Sequence, residues 1–311
     1  MYYFKNIFIL SILTSVLLFC GLASFAQKDS VANALTHHQK GQLSLAKIAI
    51  ESACKNSETA NDAATWYYKG FIFKDIYKLH QNKANDSILR MESLQAFKKS
   101  IALDATREYI KENRNNIKYL ASSFLNDASA ALEKQNYNSA ITNYKYFKEN
   151  IVIADSAINL TQKDIEFKLA LASLCNRIYE SIPDTSKNKE FFKKTITLYN
   201  EILKVDPNNL SANYNLGLMY YNKAVNIIKV IDYDTDLIKL ADIRDVCVTL
   251  FKQALPFMEK AHQLILGMKE TRIKKRDILV GLSGIYFSLN DIEKSNGFKQ
   301  EITQIDQEQK K

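Results

Sequence analysis

Lys193 to Asn222 reads KKTITLYNEILKVDPNNLSANYNLGLMYYN. Thr195, Tyr199 and Ile202 fall at i, i+4 and i+7, which is one face of a helix. Asp206-Pro207-Asn208-Asn209 then breaks the pattern with turn-forming residues, and Pro207 cannot continue the helix before it. A second helical pattern follows, for which Ser211 offers an N-cap. The stretch is a helical hairpin.

The first triplet of this hairpin recurs along the chain. It has a small residue, an apolar residue four on, and a small or apolar residue three further. It reappears as Ala46, Ile50, Ala53; as Ser93, Phe97, Ser100; as Ala140, Tyr144, Phe147; and as Ala254, Met258, Ala261. The small member lets a neighbouring helix approach, and the larger ones fill the gap behind it. A companion triplet precedes these, best seen as Trp66, Gly70, Phe73, and also as Phe124, Ala128, Ala131 and Leu279, Ser283, Tyr286. With 8 Gly and 3 Pro in 311 residues the chain is too poor in turns for a sandwich or barrel. Asp236 to Leu266 is helical in pattern with Pro256 inside it, which predicts one long helix kinked at the proline.

On these residues the chain resembles the tetratricopeptide repeat family, a helix–turn–helix unit with W-x2-L-G-x2-Y early, A-x3-F in the middle and Pro near the end. Leu216-Gly217 and Tyr220 match the early part. Thr195, Tyr199, Ile202 and Pro207 match the late part of the preceding unit, and Gly41 fits the turn between paired helices. The family separates the small residues of paired helices by 12. Ala34 to Ala46, Ala128 to Ala140 and Ser283 to Ser295 keep that spacing. Gly70 to Ser93 and Ala172 to Thr195 give 23, and Gly217 to Ala254 gives 37, so insertions or lengthened helices are expected there. Lys69 and Asp127 stand where the family prefers Leu. The resemblance implies an all-α, right-handed solenoid of about five to six helix pairs over residues 27–311, closed by a polar cap from Gln300 onward.

The first 26 residues are different. Lys5 is their one charged side chain, Ile7 to Leu22 carry no charge, and Ser24-Phe25-Ala26 places small residues ahead of Gln27. That is the pattern of a signal peptide cleaved after Ala26. It predicts a periplasmic or secreted bacterial protein with no membrane span in its mature part, whose net charge falls from +8 to +7. An uncleaved anchor is the alternative, because the run is also long enough to cross a bilayer. Phe19 before Cys20 argues against a lipidated cysteine. Cys54, Cys175 and Cys247 remain, odd in number and widely spaced, and read as buried free thiols rather than a disulfide framework. The densest basic cluster, Lys269, Arg272, Lys274, Lys275 and Arg276, has no interleaved aromatic residues. It reads as a solvated connection between helices, and a nucleic-acid partner is not expected.

Chemistry is sparse. There is no Gly-rich phosphate loop, no Gly-x-Ser-x-Gly and no His-Glu-x-x-His. His37 and His38 point about 100° apart on a helix, and His80 and His262 stand alone. No metal, cofactor or enzymatic activity is expected. The resemblance instead implies a protein or peptide partner gripped in the concave groove, one residue after each packing triplet of a first helix. Here those places are Tyr67, Phe71 and Lys74, and Tyr214, Leu218 and Tyr221. The same aromatic residues could equally pack between repeats. The expected function is a non-catalytic interaction scaffold of the cell envelope. A membrane-anchored structural or assembly component is the alternative.

Overall fold

The structure, a computed structural model, describes residues 30–79, 86–182, 186–266 and 272–308. The proposed signal segment, Cys20, His80 and Lys269 lie outside them. The described residues are helical with no strand among them, and they fall into two compact units, divided along the chain between Asn159 and Leu160.

The first unit holds α1 (30–39), α2 (Leu43–Lys55), α3 (Ala63–Leu79), α4 (Asp86–Leu103), α5 (Ile110–Glu133) and α6 (Tyr137–Ala154). The second holds α7 (Thr161–Ser181), α8 (Ser186–Val205), α9 (Leu210–Lys229), α10 (Leu237–Ile265), α11 (Arg272–Ser288) and α12 (Ile292–Glu308). Consecutive helices pair as hairpins, six in all among the described residues. Within each unit successive pairs stack, and first helices also touch each other, α3 against α5 and α9 against α11.

The triplets read from the sequence are buried, except for Trp66, which is half-buried. Ala46, Ile50, Phe97, Ala140, Ile202, Ala254, Met258 and Ala261 are 0% exposed. The small members mark close approach. A Cβ on Gly70 would lie 2.6 Å from the Phe97 ring, and one on Gly217 would lie 2.5 Å from Met258 Cγ. Serine replaces alanine at some of these places because a backbone carbonyl across the seam accepts its proton. Ser93 Oγ donates to Gly70 O at 2.7 Å, Ser100 Oγ to Ala63 O at 2.8 Å, and Ser295 Oγ to Ser283 O at 2.9 Å. The hydroxyl is buried without being left unpaired.

The spacing of 12 has a local cause. The three hairpins that keep it share one turn. A left-handed residue stands seven after the small residue of the first helix: Gly41 (φ 72°), Gln135 (φ 55°) and Asn290 (φ 65°). The next amide donates five residues back, Gln42 to His37 O, Asn136 to Ala131 O and Asp291 to Tyr286 O, at 2.8, 2.8 and 2.9 Å. This double-duty turn ends one helix and starts the next within three residues. Glycine fills only one of the three left-handed positions. Gln135→Gly is expected to stabilise the first unit by about 0.5–1 kcal/mol, since relief of the left-handed penalty exceeds glycine's entropy cost. A thermal melt followed by the lone Trp66, which lies in that unit, checks it.

The other three hairpins put their extra residues into longer helices. The last of them is the longest: α9 runs to Lys229, well past Gly217, and α10 starts at Leu237, far ahead of Ala254. α10 is continuous through Pro256. That residue is exposed, so the carbonyl it leaves without an intrahelical donor, on exposed Lys252, faces water. Two local expectations are corrected. The N-cap of α9 is Asn209, whose side chain accepts from Ala212 N at 3.0 Å, not Ser211. Arg272 to Arg276 form the first turn of α11 rather than a connection, and Arg276 makes a two-bond pair with Asp306 on α12 at 2.6 and 3.0 Å.

The family-atypical positions are also explained. Asp127 pairs at 2.7 Å with Arg90, whose side chain is 6% exposed and whose guanidinium lies 3.6 Å from the centroid of the Phe124 ring. Lys69 lies over the rings of Trp66 and Phe73. Each substitutes a cation–π or ionic contact for an apolar one.

The three thiols are unpaired by disulfides. Cys175 and Cys247 are buried, whereas Cys54 is only half-buried, because it lies one residue past the packing triplet on α2. Burial pushes the Cys175 thiol up to about 11 and the Tyr199 phenol up to about 12. The unfolded chain therefore loses these protons first as pH rises. Their contribution to stability is complete at neutral pH and is lost between about pH 9 and 12. Melting temperature is expected to fall over that range, with the drop beginning later in Cys175→Ala.

Candidate functional site

In the first unit, the predicted positions on α3 form part of a strip that crosses three first helices. α1 contributes His38, α3 contributes Phe71, Tyr67 and Lys74, and the start of α5 contributes Tyr109 and Asn116. The Tyr67 ring centre lies 4.9 Å from Tyr109, 5.1 Å from Tyr68 and 6.3 Å from Phe71, and the Phe71 centre lies 5.3 Å from His38. The i, i+4 spacing on α3 sets Tyr67 and Phe71 side by side, and the stacking of α3 on α5 brings Tyr109 to meet them. Tyr67 and Phe71 are half-buried, not enclosed.

Lys74 is buried, which its charge did not predict. It is tolerated because its Nζ donates to Asn116 Oδ1 at 2.7 Å and lies 4.3 Å from the centre of the Phe71 ring. Burial draws its pKa down, and neighbouring Asp75 partly restores it. Burial, and then Glu108, pushes the Tyr109 phenol up to about 12. The phenols at this strip are thus neutral hydrogen-bonding groups at physiological pH. His38 Nε2 lies 2.9 Å from Asp75 Oδ2, so the histidine faces its carboxylate and not a metal cluster. Among the described residues no three His, Cys, Asp or Glu side chains gather as a metal site requires.

In the second unit Tyr214, Leu218 and Tyr221 are half-buried on α9. Tyr214 and Tyr221 both pack on the apolar cluster built from α10 and α11. Tyr221 lies 5.7 Å from the Phe251 ring, and its hydroxyl reaches α11 so closely that a Cβ on Gly284 would sit 2.5 Å from it. Burial raises both phenols, and Asp277 adds to the effect on Tyr214.

A second concavity was not visible in the sequence. The lengthened ends of α7, α8 and α9 enclose a groove of about 630 Å³. Tyr179 and Phe192, 5.3 Å apart, form its floor, with Lys223 Nζ 3.9 Å from the Phe192 ring centre. Lys189 and Lys229 stand at its edge, against one acid, Glu180. Asn188 closes the α7–α8 turn beside it by donating to Tyr179 O at 2.8 Å and Ile182 O at 3.2 Å. Three helices build this groove, so no single periodic pattern announces it.

No family model and no curated protein matches the chain. Solved structures do. The chain matches an IFIT1 monomeric mutant with Gppp-AAAA at 14% identity and a TM-score of 0.35, covering 84% of this chain and 46% of that one. It thus spans about half the length of that protein. It matches PilW, a type IV pilus biogenesis factor, at 13% identity and a TM-score of 0.26, covering 89% and 92%. It matches the TPR2AB-domain:pHSP90 complex of yeast Sti1 at 11% identity and a TM-score of 0.25, covering 91% and 99%. Likeness at this distance does not extend to ligands. Among the described residues no helix is long and apolar enough to cross a membrane.

Proposed function

We propose that this chain is a non-catalytic scaffold that binds a partner protein or peptide across its first helices, and that it is exported to the cell envelope. The observation that carries the binding reading is the strip His38–Phe71–Tyr67–Tyr109. Four rings from three helices pack one against the next, and Tyr67 and Phe71 keep part of their surface open. Rigid, partly exposed aromatic residues with few rotatable bonds are the anchors on which interface energy concentrates. Half-buried Asn116, which holds the buried Lys74, adds a polar edge beside the rings. Tyr214, Leu218 and Tyr221 would extend the same mode of binding in the second unit. Export rests on the uncharged run from Ile7 to Leu22 followed by Ser24-Phe25-Ala26.

Quantitative affinity capture from envelope extracts of the native host tests the reading. Tyr67→Ala is expected to lose the specific partner, at a cost of about 2 kcal/mol of binding, while the melting temperature of the unit stays within a few degrees. Unchanged partners with Tyr67→Ala and with Phe71→Ala would place binding elsewhere. Mass measurement of the native protein is expected to give Gln27 as its first residue. An intact Met1 and retention in salt-washed membranes would favour the anchored assembly component instead.

A further inference from the structure

Among the described residues of the second unit, four strongly exposed apolar side chains run from the end of α9 through its loop into the first turn of α10. Val230 is 81% exposed, Tyr233 107%, Leu237 84% and Ile238 79%. Exposed apolar side chains gathered this closely on a water-facing surface mark a contact. The tip is also acidic. Asp232, Asp234 and Asp236 are exposed, and no Lys or Arg stands between Val230 and Ile238. Anionic lipid headgroups would repel it, so a membrane is a poor occupant.

The groove formed by α7, α8 and α9 has the complementary character. It is basic through Lys189, Lys223 and Lys229, its floor is aromatic through Tyr179 and Phe192, and its volume exceeds that of one aromatic side chain. Lys229 and Val230 line the groove and lead directly into the tip, so groove and tip are neighbours on one face of the unit. A patch that carries both halves of a complementary contact side by side is what a two-fold interface needs, because each copy then offers its tip to the other's groove.

We propose that the chain forms a two-fold dimer in which the acidic, apolar α9–α10 tip of each copy fills the basic groove of the other. Tyr233 seats on the Tyr179–Phe192 floor, and Asp232 and Asp234 face Lys189, Lys223 and Lys229. This contact is separate from the aromatic strip of the first unit and stands or falls independently of partner binding there.

Charge reversal tests it on the purified mature chain by sedimentation velocity. The wild type is expected to dimerise at low salt (about 50 mM) and to dissociate progressively towards about 500 mM. A tip variant, Asp232→Lys with Asp234→Lys, leaves the α10 cap Asp236 intact. A groove variant, Lys189→Glu with Lys229→Glu, changes only exposed positions. Each alone is expected to weaken the dimer at least ~100-fold, through like-charge contacts. Mixed together they restore both contacts, Lys tip to Glu groove and Asp tip to Lys groove, and a heterodimer is expected. Circular dichroism confirms that each variant is folded. A wild type that stays monomeric up to about 0.1 mM at low salt overturns the proposal. So does a dimer that both variants keep, or a mixture of the two that stays monomeric.

Discussion

Phe97→Ala is expected to remove about 3–5 kcal/mol from the stability of the first unit. The ring is fully buried, and it lies where Gly70 allows α3 to approach α4. Truncation therefore loses both the burial of the ring and the contact that seals the hairpin. Gly70→Ala approaches the same seam from the other side. Its new methyl would lie 2.6 Å from the ring, and overpacking of that kind costs about 1–3 kcal/mol. The two changes are not additive, because removing the ring makes room for the methyl. Urea unfolding followed by Trp66 fluorescence reads this unit specifically. A loss below about 1 kcal/mol for Phe97→Ala would show that the seam does not hold the hairpin together.

The double change Tyr214→Ala with Tyr221→Ala is expected to destabilise the second unit by about 3 kcal/mol or more. Both rings pack on the α10–α11 cluster, and Tyr221 fills the space that Gly284 leaves on α11. Tyr221→Phe removes only the hydroxyl and is expected to cost much less. Partner capture, measured well below the melting point of the double variant, separates packing from binding at these two positions. If the melting point is unchanged and the partner is lost, the rings are binding anchors and the packing contribution is small. If the protein melts early and the partner is retained, they hold α9 to α11 and nothing more.

The helix pairs were legible because the triplets are local, face-defining patterns, and all their members but Trp66 are buried. The spacing of 12 was legible for a deeper reason: one turn geometry, with its left-handed residue and its amide bonded five residues back, fixes that number. Gln135 and Asn290 hid the turn from a search for glycine. Asn209 was passed over in favour of Ser211 because both can cap a helix, and only the path of the chain after Pro207 decides between them. Cys54 was read as buried because periodicity locates a face to within one residue, and it stands one residue beyond that face. Among the candidate site residues, the positions on α3 could be named, but not their meeting with His38 and Tyr109, which depends on how α1, α3 and α5 stack. The groove beside Tyr179 and Phe192 was beyond reach for the same reason, since it exists only where the extra length of three helices converges. Asp127 looked like a flaw in the pattern until Arg90 was placed against it.

Within each unit, helix packing is almost entirely between sequence neighbours. That has a kinetic meaning. The average contact spans few residues, so little loop-closure entropy must be spent before a contact forms, and chains of this type fold in microseconds to milliseconds. No hairpin has to wait for the far end of the chain. A polypeptide delivered one end first, from a ribosome or through a translocation pore, can complete each hairpin as it emerges and add it to the one before. It exposes at any moment only the face that the next hairpin will cover.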